Sequence, residues 1–110
     1  MSDGIRLLPA PLSIDDAQID RYSYYEHGDV LYLMVGPPAG EPAADDDESL
    51  EGDTVFFDAE GRITGVTMIG PRFMLERDGT LNVTVPSRGI VVRWPREVIE
   101  PLLHETLSYA

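Results

Sequence analysis

Alternation of apolar and polar positions is densest in the first half of the chain. In "RYSYYEHGDVLYLMVG", residues 21–36, Tyr22 and Tyr24 alternate with Ser23, and Val30, Tyr32 and Met34 interleave with Leu31, Leu33 and Val35. The pattern predicts a hairpin turned at His27-Gly28-Asp29, where Gly28 can take positive φ. Its second strand is apolar on both faces. Such a strand is central, or is covered by a helix or another subunit.

A second alternating block, "DTVFFDAEGRITGVTMIG", predicts strands over 54–57 and 63–69. Between them Asp58-Ala59-Glu60-Gly61 fits a type I turn, with Asp at the first position and Gly at the fourth. Asp58 and Gly61 are therefore expected to be structural. Gly65 inside the return strand signals a bulge or a close backbone approach. "FMLERDGTLNVTVP" predicts a third hairpin. A three-residue loop Arg77-Asp78-Gly79 sets Leu75 opposite Leu81 and Phe73 opposite Val83, keeping one face apolar. "GIVVRW" predicts a last strand. "PREVIEPLLHETLSYA" is the clearest helical stretch, with Val98, Ile99, Leu102, Leu103 and Leu107 on one stripe, Pro95 at its first position and a kink at Pro101.

The connections read differently. Residues 1–20 predict an irregular lead-in, because Pro9 and Pro11 break an early helix, with one short helical turn after Ser13 as N-cap. Gly36 to Gly40 ends a strand. "EPAADDDESLEGD" then predicts a long, solvated and mobile acidic loop over 41–53. The expected fold is α+β: an antiparallel, hairpin-built sheet with a C-terminal helix packed on one face. Residues 21–110 form one domain behind the lead-in 1–20.

Composition narrows the function. The chain has 110 residues, 43% of them hydrophobic, enough for one modest core. It has no cysteine, so neither a disulfide framework nor a thiolate metal site is expected. No apolar run reaches a membrane span, and "MSDGIRLLPAPLS" is too short and Pro-broken to read as a signal peptide. These absences point to the cytoplasm. The net charge is −12, and all eight basic residues are Arg. Residues 1–60 hold fifteen acids against two Arg; residues 61–110 hold five against six. An acidic half repels phosphate backbones and suits a basic partner.

Candidate chemistry is sparse. Asp45, Asp46, Asp47 and Glu48 are hard oxygen donors, but they are contiguous and lack the alternate acids and sixth-position Gly of an EF-hand. No metal and no cofactor is expected. His27 beside Asp29 could serve as a general base, although a turn residue is the plainer role. His104, near a helix C-terminus, is favoured there by the helix dipole. No serine lies in a G-x-S-x-G elbow, and no phosphate-binding glycine loop is present. Tyr22, Tyr24, Tyr25 and Tyr32 either pack the sheet or form an aromatic contact patch. Arg88, Arg93 and Arg96 near Trp94 suggest an intramolecular salt bridge or a cation–π contact rather than nucleic-acid binding.

The segment "YYEHGDVLYLMVG", the acidic stretch after it and "DTVFFDAEGRITGVTMIG" together resemble the small bacterial "domain of unknown function 2283" family over residues 21–70. The matching positions are Tyr24, Asp29, Leu31, Tyr32, Leu33, Asp58, Gly61, Arg62, Ile63, Gly65, Val66 and Met68. Tyr25 and Thr67 depart from the family's usual Asp and Glu. The resemblance implies at most an antitoxin-like or other binding role.

The leading expectation is a non-enzymatic interaction module. Its interaction surface would be drawn from Tyr22, Tyr24, Tyr25, Tyr32 and Asp45 to Glu48. One alternative is a small-molecule-binding or hydrolytic protein using the aromatic hairpin; another is a homo-oligomeric structural protein. Because one helix covers one face, a homodimer or a heterodimer with a basic protein is expected to bury the other.

Overall fold

The computed structural model describes residues 6–35 and 43–105. Two three-stranded meanders make one antiparallel sheet. The first runs β1 (Arg6–Ile14), β2 (Ala17–Tyr25), β3 (Val30–Val35). The second runs β4 (Asp45–Glu48), β5 (Thr54–Phe57), β6 (Ile63–Ile69). Each meander starts at an edge and works inward, so β3 pairs β6 in the middle and the order is β1-β2-β3-β6-β5-β4. Then follow helix α1 (Pro71–Asp78), the two-stranded ribbon β7 (Thr80–Val85) and β8 (Ile90–Pro95), and helix α2 (Arg96–Glu105). The architecture is mostly sheet, broadly α+β, with a helix near the C-terminus.

Strand parity sorts the side chains. Tyr22 and Tyr24, Leu31 and Leu33, Val66 and Met68, and Val55 and Phe57 are all buried, from four neighbouring strands. They share one core with Leu81, Val83 and Val85 of β7, Ile90 and Trp94 of β8, and Met74 and Leu75 of α1. Ile99, Leu102 and Leu103 of α2 complete it, whereas Val98 is exposed. Leu107 of the expected stripe lies outside the described residues. Pro95 closes β8 rather than opening α2, and Pro101 sits inside the helix as expected.

The predicted turns at 26–29 and 58–61 both form. Asp58 Oδ1 accepts from the N–H groups of Glu60 and Arg62, both at 2.9 Å, and Gly61 has φ 83°. The bond from the Arg62 backbone leads in holding the exposed Asp58 carboxyl below its usual range. Nothing crowds a side chain at Gly61, so Gly61→Val tests backbone conformation alone. It is expected to cost about 1–2 kcal/mol in urea unfolding, with Gly61→Asn costing less because Asn tolerates the left-handed region. Gly65 meets both readings of its signal. Pairing shifts between Phe56 and Phe57, and a Cβ on Gly65 would stand 3.1 Å from the Leu33 carbonyl oxygen.

Three elements correct the sequence reading. Residues 6–14 are not an irregular lead-in but strand β1, and no helical turn follows Ser13. A two-residue connection, Asp15-Asp16, turns the chain into β2, with Asp15 at φ 54°. The Trp94 indole N–H donates to the Ser13 carbonyl at 2.9 Å, fastening β1 to the ribbon.

The acidic stretch is not one solvated loop, because Asp45 to Glu48 form edge strand β4. Arg88 explains its order: the guanidinium bonds Asp45 and Asp47 together while lying 3.8 Å over the Phe57 ring. Glu41 and Pro42 lie outside the described residues.

The hairpin expected over 73–83 is instead α1 followed by β7. Asp78-Gly79 resembles a hairpin turn, yet Gly79 is a helix C-cap at φ 80°, its N–H bonding Leu75 O at 2.8 Å. Pro71, Met74 and Leu75 are buried at helical spacing, and Pro71 suits the first turn. The helices also cap one another. Arg96 donates to the Leu75 carbonyl at 2.7 Å, and Arg72 to the Leu103 carbonyl at 3.2 Å. Arg93 bonds Asn82. The intramolecular salt bridges expected of this group form, Arg88 with Asp45 and Asp47 and Arg96 with Glu100, while the ring that Arg88 stacks on is Phe57.

Candidate interaction face and acidic cleft

Cross-strand register builds the sheet's other face. Tyr25, Val30 and Ile69 make one row. Ser23, Tyr32, Thr67, Thr54 and Glu48 make the next. Arg21, Met34, Gly65, Phe56 and Asp46 make the third. Tyr25, Tyr32 and Ile69 are exposed at 55%, 42% and 54%, and Val30, Met34 and Phe56 are half-buried. Six large apolar side chains thus lie contiguously on a water-facing sheet, with Asp46 and Glu48 bordering them. Such patches are uncommon unless something docks there. Residues 6–20 do not cover this face; they extend the sheet at its edge.

The tyrosines divide accordingly. Tyr22 and Tyr24 are core residues at 0% and 5% exposure, so they are no part of a surface. Tyr25 and Tyr32 are on the open face. The acids divide by the same parity: Asp46 and Glu48 go with the open face, while Asp45 and Asp47 bind Arg88 behind it.

The base suggested for His27 and Asp29 has a different occupation. Asp29 accepts from the Arg72 N–H at 3.1 Å and the Phe73 N–H at 3.2 Å, the free donors at the start of α1. The Gly70 N–H donates to the Asp29 carbonyl at 2.7 Å, and the Tyr24 hydroxyl to its carboxylate at 2.7 Å. Burial, and then this bond and the charge of Asp29, push the Tyr24 hydroxyl well above the ordinary phenol range. Helix α1 has no side-chain cap of its own, so the turn before β3 caps it from a distance. His27 is exposed, its ring 5.9 Å from that of Tyr25. The side chain of His104 is not described.

A second carboxylate, absent from the sequence reading, holds the residue before that junction. Asp53 is fully buried at the tip between β4 and β5. It accepts from the Ile69 N–H at 3.2 Å and the Ser49 hydroxyl at 3.3 Å. Burial pushes its carboxyl up to about 6, against the pull of those two bonds. Next to it Glu51 takes the N–H and hydroxyl of Thr84, both at 2.8 Å, joining this tip to β7.

At the sheet end where β1 turns into β2 and β5 into β6 lies an open cleft of about 730 Å³. Asp15, Asp16, Asp20 and Asp58 stand around it with Arg62 and Arg88. Among the described residues, no three acidic or histidine side chains converge in a way that could hold a metal ion. No described helix is long and apolar enough to cross a membrane. Comparison with protein-family models, curated proteins and solved structures finds no match.

Proposed function

We propose that this protein is a non-enzymatic interaction module whose open sheet face docks a protein partner carrying an apolar stripe flanked by basic side chains. The carrying observation is the contiguous set Tyr25, Val30, Ile69, Tyr32, Met34 and Phe56 on a sheet face turned to water. In this reading α1, α2 and the β7–β8 ribbon together cover the opposite face, leaving this one for the partner. Charge selects the occupant. Asp46 and Glu48 edge the patch, and the chain carries −12 overall, so a second copy meets like charge while a basic partner meets opposite charge. The resemblance of residues 21–70 to a bacterial family, with the antitoxin-like or regulatory role it implies, supports a cytoplasmic binding protein.

The test uses a fluorescent amphipathic helical peptide of Leu and Lys as probe. The reading expects binding that weakens with salt and falls at least tenfold in Tyr32→Asp/Phe56→Asp. Those substitutions add negative charge, so attraction by charge alone would strengthen binding instead. No binding, or binding unchanged or tightened by the substitutions, contradicts the reading. Light scattering supplies the other arm: a dimer that strengthens with salt and is lost in the same variant would assign the face to a second copy.

A further inference from the structure

We infer that the outer edge of β8 is a second docking site, one that takes an extended acidic segment of a protein partner as an added antiparallel strand. Register identifies the backbone groups that face out. Thr84 pairs with Val91, yet its carbonyl accepts from the Leu50 N–H at 2.9 Å and its N–H donates to Glu51 at 2.8 Å. Both backbone groups of Thr84 therefore point away from β8. Antiparallel pairs alternate between bonded and unbonded, and in an unbonded pair both residues turn their N–H and C=O outward. Val91 thus presents its backbone groups on the far side of β8, and Arg93, two residues on, does the same. Among the described residues no strand lies beyond β8 and none bonds those groups.

The other strand edges are blocked. β1 carries Pro9 and Pro11, which lack an N–H, and its register shifts between Leu7 and Leu12. β4 is four acids, with the Asp45 carboxylate taking the Asp46 N–H at 2.8 Å. The far side of β7 is bonded at Thr84 by Leu50 and Glu51. Proline, charge and covering segments are the usual means of closing an edge. β8 pairs with β7 without a register shift, and Ile90, Val91 and Val92 are three β-branched residues in a row. Val91 is 78% exposed and Arg93 is exposed, so this edge faces water.

Charge names the occupant. Residues 79–96 are the longest stretch of the chain without an acid, and they hold Arg88, Arg93 and Arg96. Arg88 is paired with Asp45 and Asp47, and Arg96 with Glu100. Arg93 bonds the neutral Asn82 at 3.3 Å, and no described carboxylate pairs with it. An incoming strand therefore meets an uncompensated guanidinium at one position and the bare Val91 two residues away on the same face. Cross-strand pairing favours an acid opposite the first and a β-branched residue opposite the second. In an antiparallel strand the acid comes first, which gives the pattern Glu-x-Val. A second copy of β8 fits worse. Pairing about residue 92 uses all the outward groups but sets each Arg93 against Val91, and the chain's −12 adds repulsion.

The probe is a fluorescent peptide, Thr-Thr-Glu-Thr-Val-Thr-Thr, followed by anisotropy with the full chain. N-methylating its Val removes an amide that would bond β8, whereas N-methylating the Thr between Glu and Val leaves the bonding set intact. The inference expects saturable binding, weakened at least tenfold by the first methyl group and less than twofold by the second. Arg93→Glu should also weaken it at least tenfold. In the bound wild type the Val91 and Arg93 amides should gain protection from hydrogen exchange. Tyr32→Asp/Phe56→Asp should change the affinity less than twofold, which separates this edge from the open sheet face. Absence of saturable binding, equal loss from the two methylated peptides, or an unchanged affinity in Arg93→Glu overturns the inference. Protection of the same amides that grows with protein concentration alone would assign the edge to a second copy and overturn it as well.

Discussion

Asp29→Ala is expected to destabilise the protein by about 3 kcal/mol. Three separate losses add. The starting N–H groups of α1 lose the carboxylate that accepts from them, at about 1 kcal/mol for a missing cap. The buried Tyr24 hydroxyl loses its partner, at about 1 kcal/mol. Asp29 also sits at φ 54°, where Ala costs about 1 kcal/mol and Asp or Asn is tolerated. Asn at this position retains the conformation and an acceptor, so Asp29→Asn should lose well under half as much. Urea unfolding of both variants, with Tyr24→Phe to separate the hydroxyl's share, is the check. Equal losses in the Ala and Asn variants would contradict the capping role, and so would a loss below about 1 kcal/mol in Ala.

Stability is expected to fall as pH rises from about 4 to about 6, through Asp53. Burial opposes the charge and holds its carboxyl up at about 6 in the folded protein, against an ordinary 3.8 when unfolded. The folded state therefore holds this proton more tightly. Its contribution is most favourable below about 4, declines between the two values and is flat above about 6. The gap between the two values sets a ceiling of about 3 kcal/mol. Asp58 and Asp78 are shifted downward and act in the opposite sense, so whole-protein curves mix the two. The difference between wild type and Asp53→Asn isolates the group. Asn keeps an oxygen for the Ile69 N–H and offers an N–H to Ser49. It should match wild type near pH 4 and exceed it by about 1–3 kcal/mol at pH 7. Parallel curves across this range would contradict the assignment.

Turns that carry their own chemistry were legible in sequence. Asp58 and Gly61 bend the chain through contacts within five residues, and the 26–29 turn behaves likewise. So was the two-sided character of β3, since Leu31 and Leu33 alternate with Tyr32 and Met34. Elements that depend on distant residues were not. β4 is four acids, and its order comes from β5 and from Arg88, over forty residues on. α1 shares its Asp-Gly end with a hairpin turn, and beyond Pro71 and the spacing of Met74 and Leu75 it is capping by the distant Asp29 that marks it as a helix. The split of the tyrosines follows plain strand parity, Tyr22 and Tyr24 against Tyr25 on β2, but which parity meets the core is set by the elements packed on that side. Asp53 looks like any acid at a turn tip. Its burial arises because β6 and the Ser49 turn close over it.

The central claim is that the face bearing Met34 is open for a partner while the opposite face is closed. Methionine methyl spectra test it within one molecule, because Met34 is half-buried on the open face and Met68 and Met74 are in the core at 0% and 6% exposure. A soluble paramagnetic agent should broaden Met34 and spare the other two. Adding the Leu-Lys peptide should then shift Met34 and restore its intensity, with Met68 and Met74 unmoved. A Met34 signal spared in the free protein, or one that stays broadened when the peptide is bound, would contradict the account.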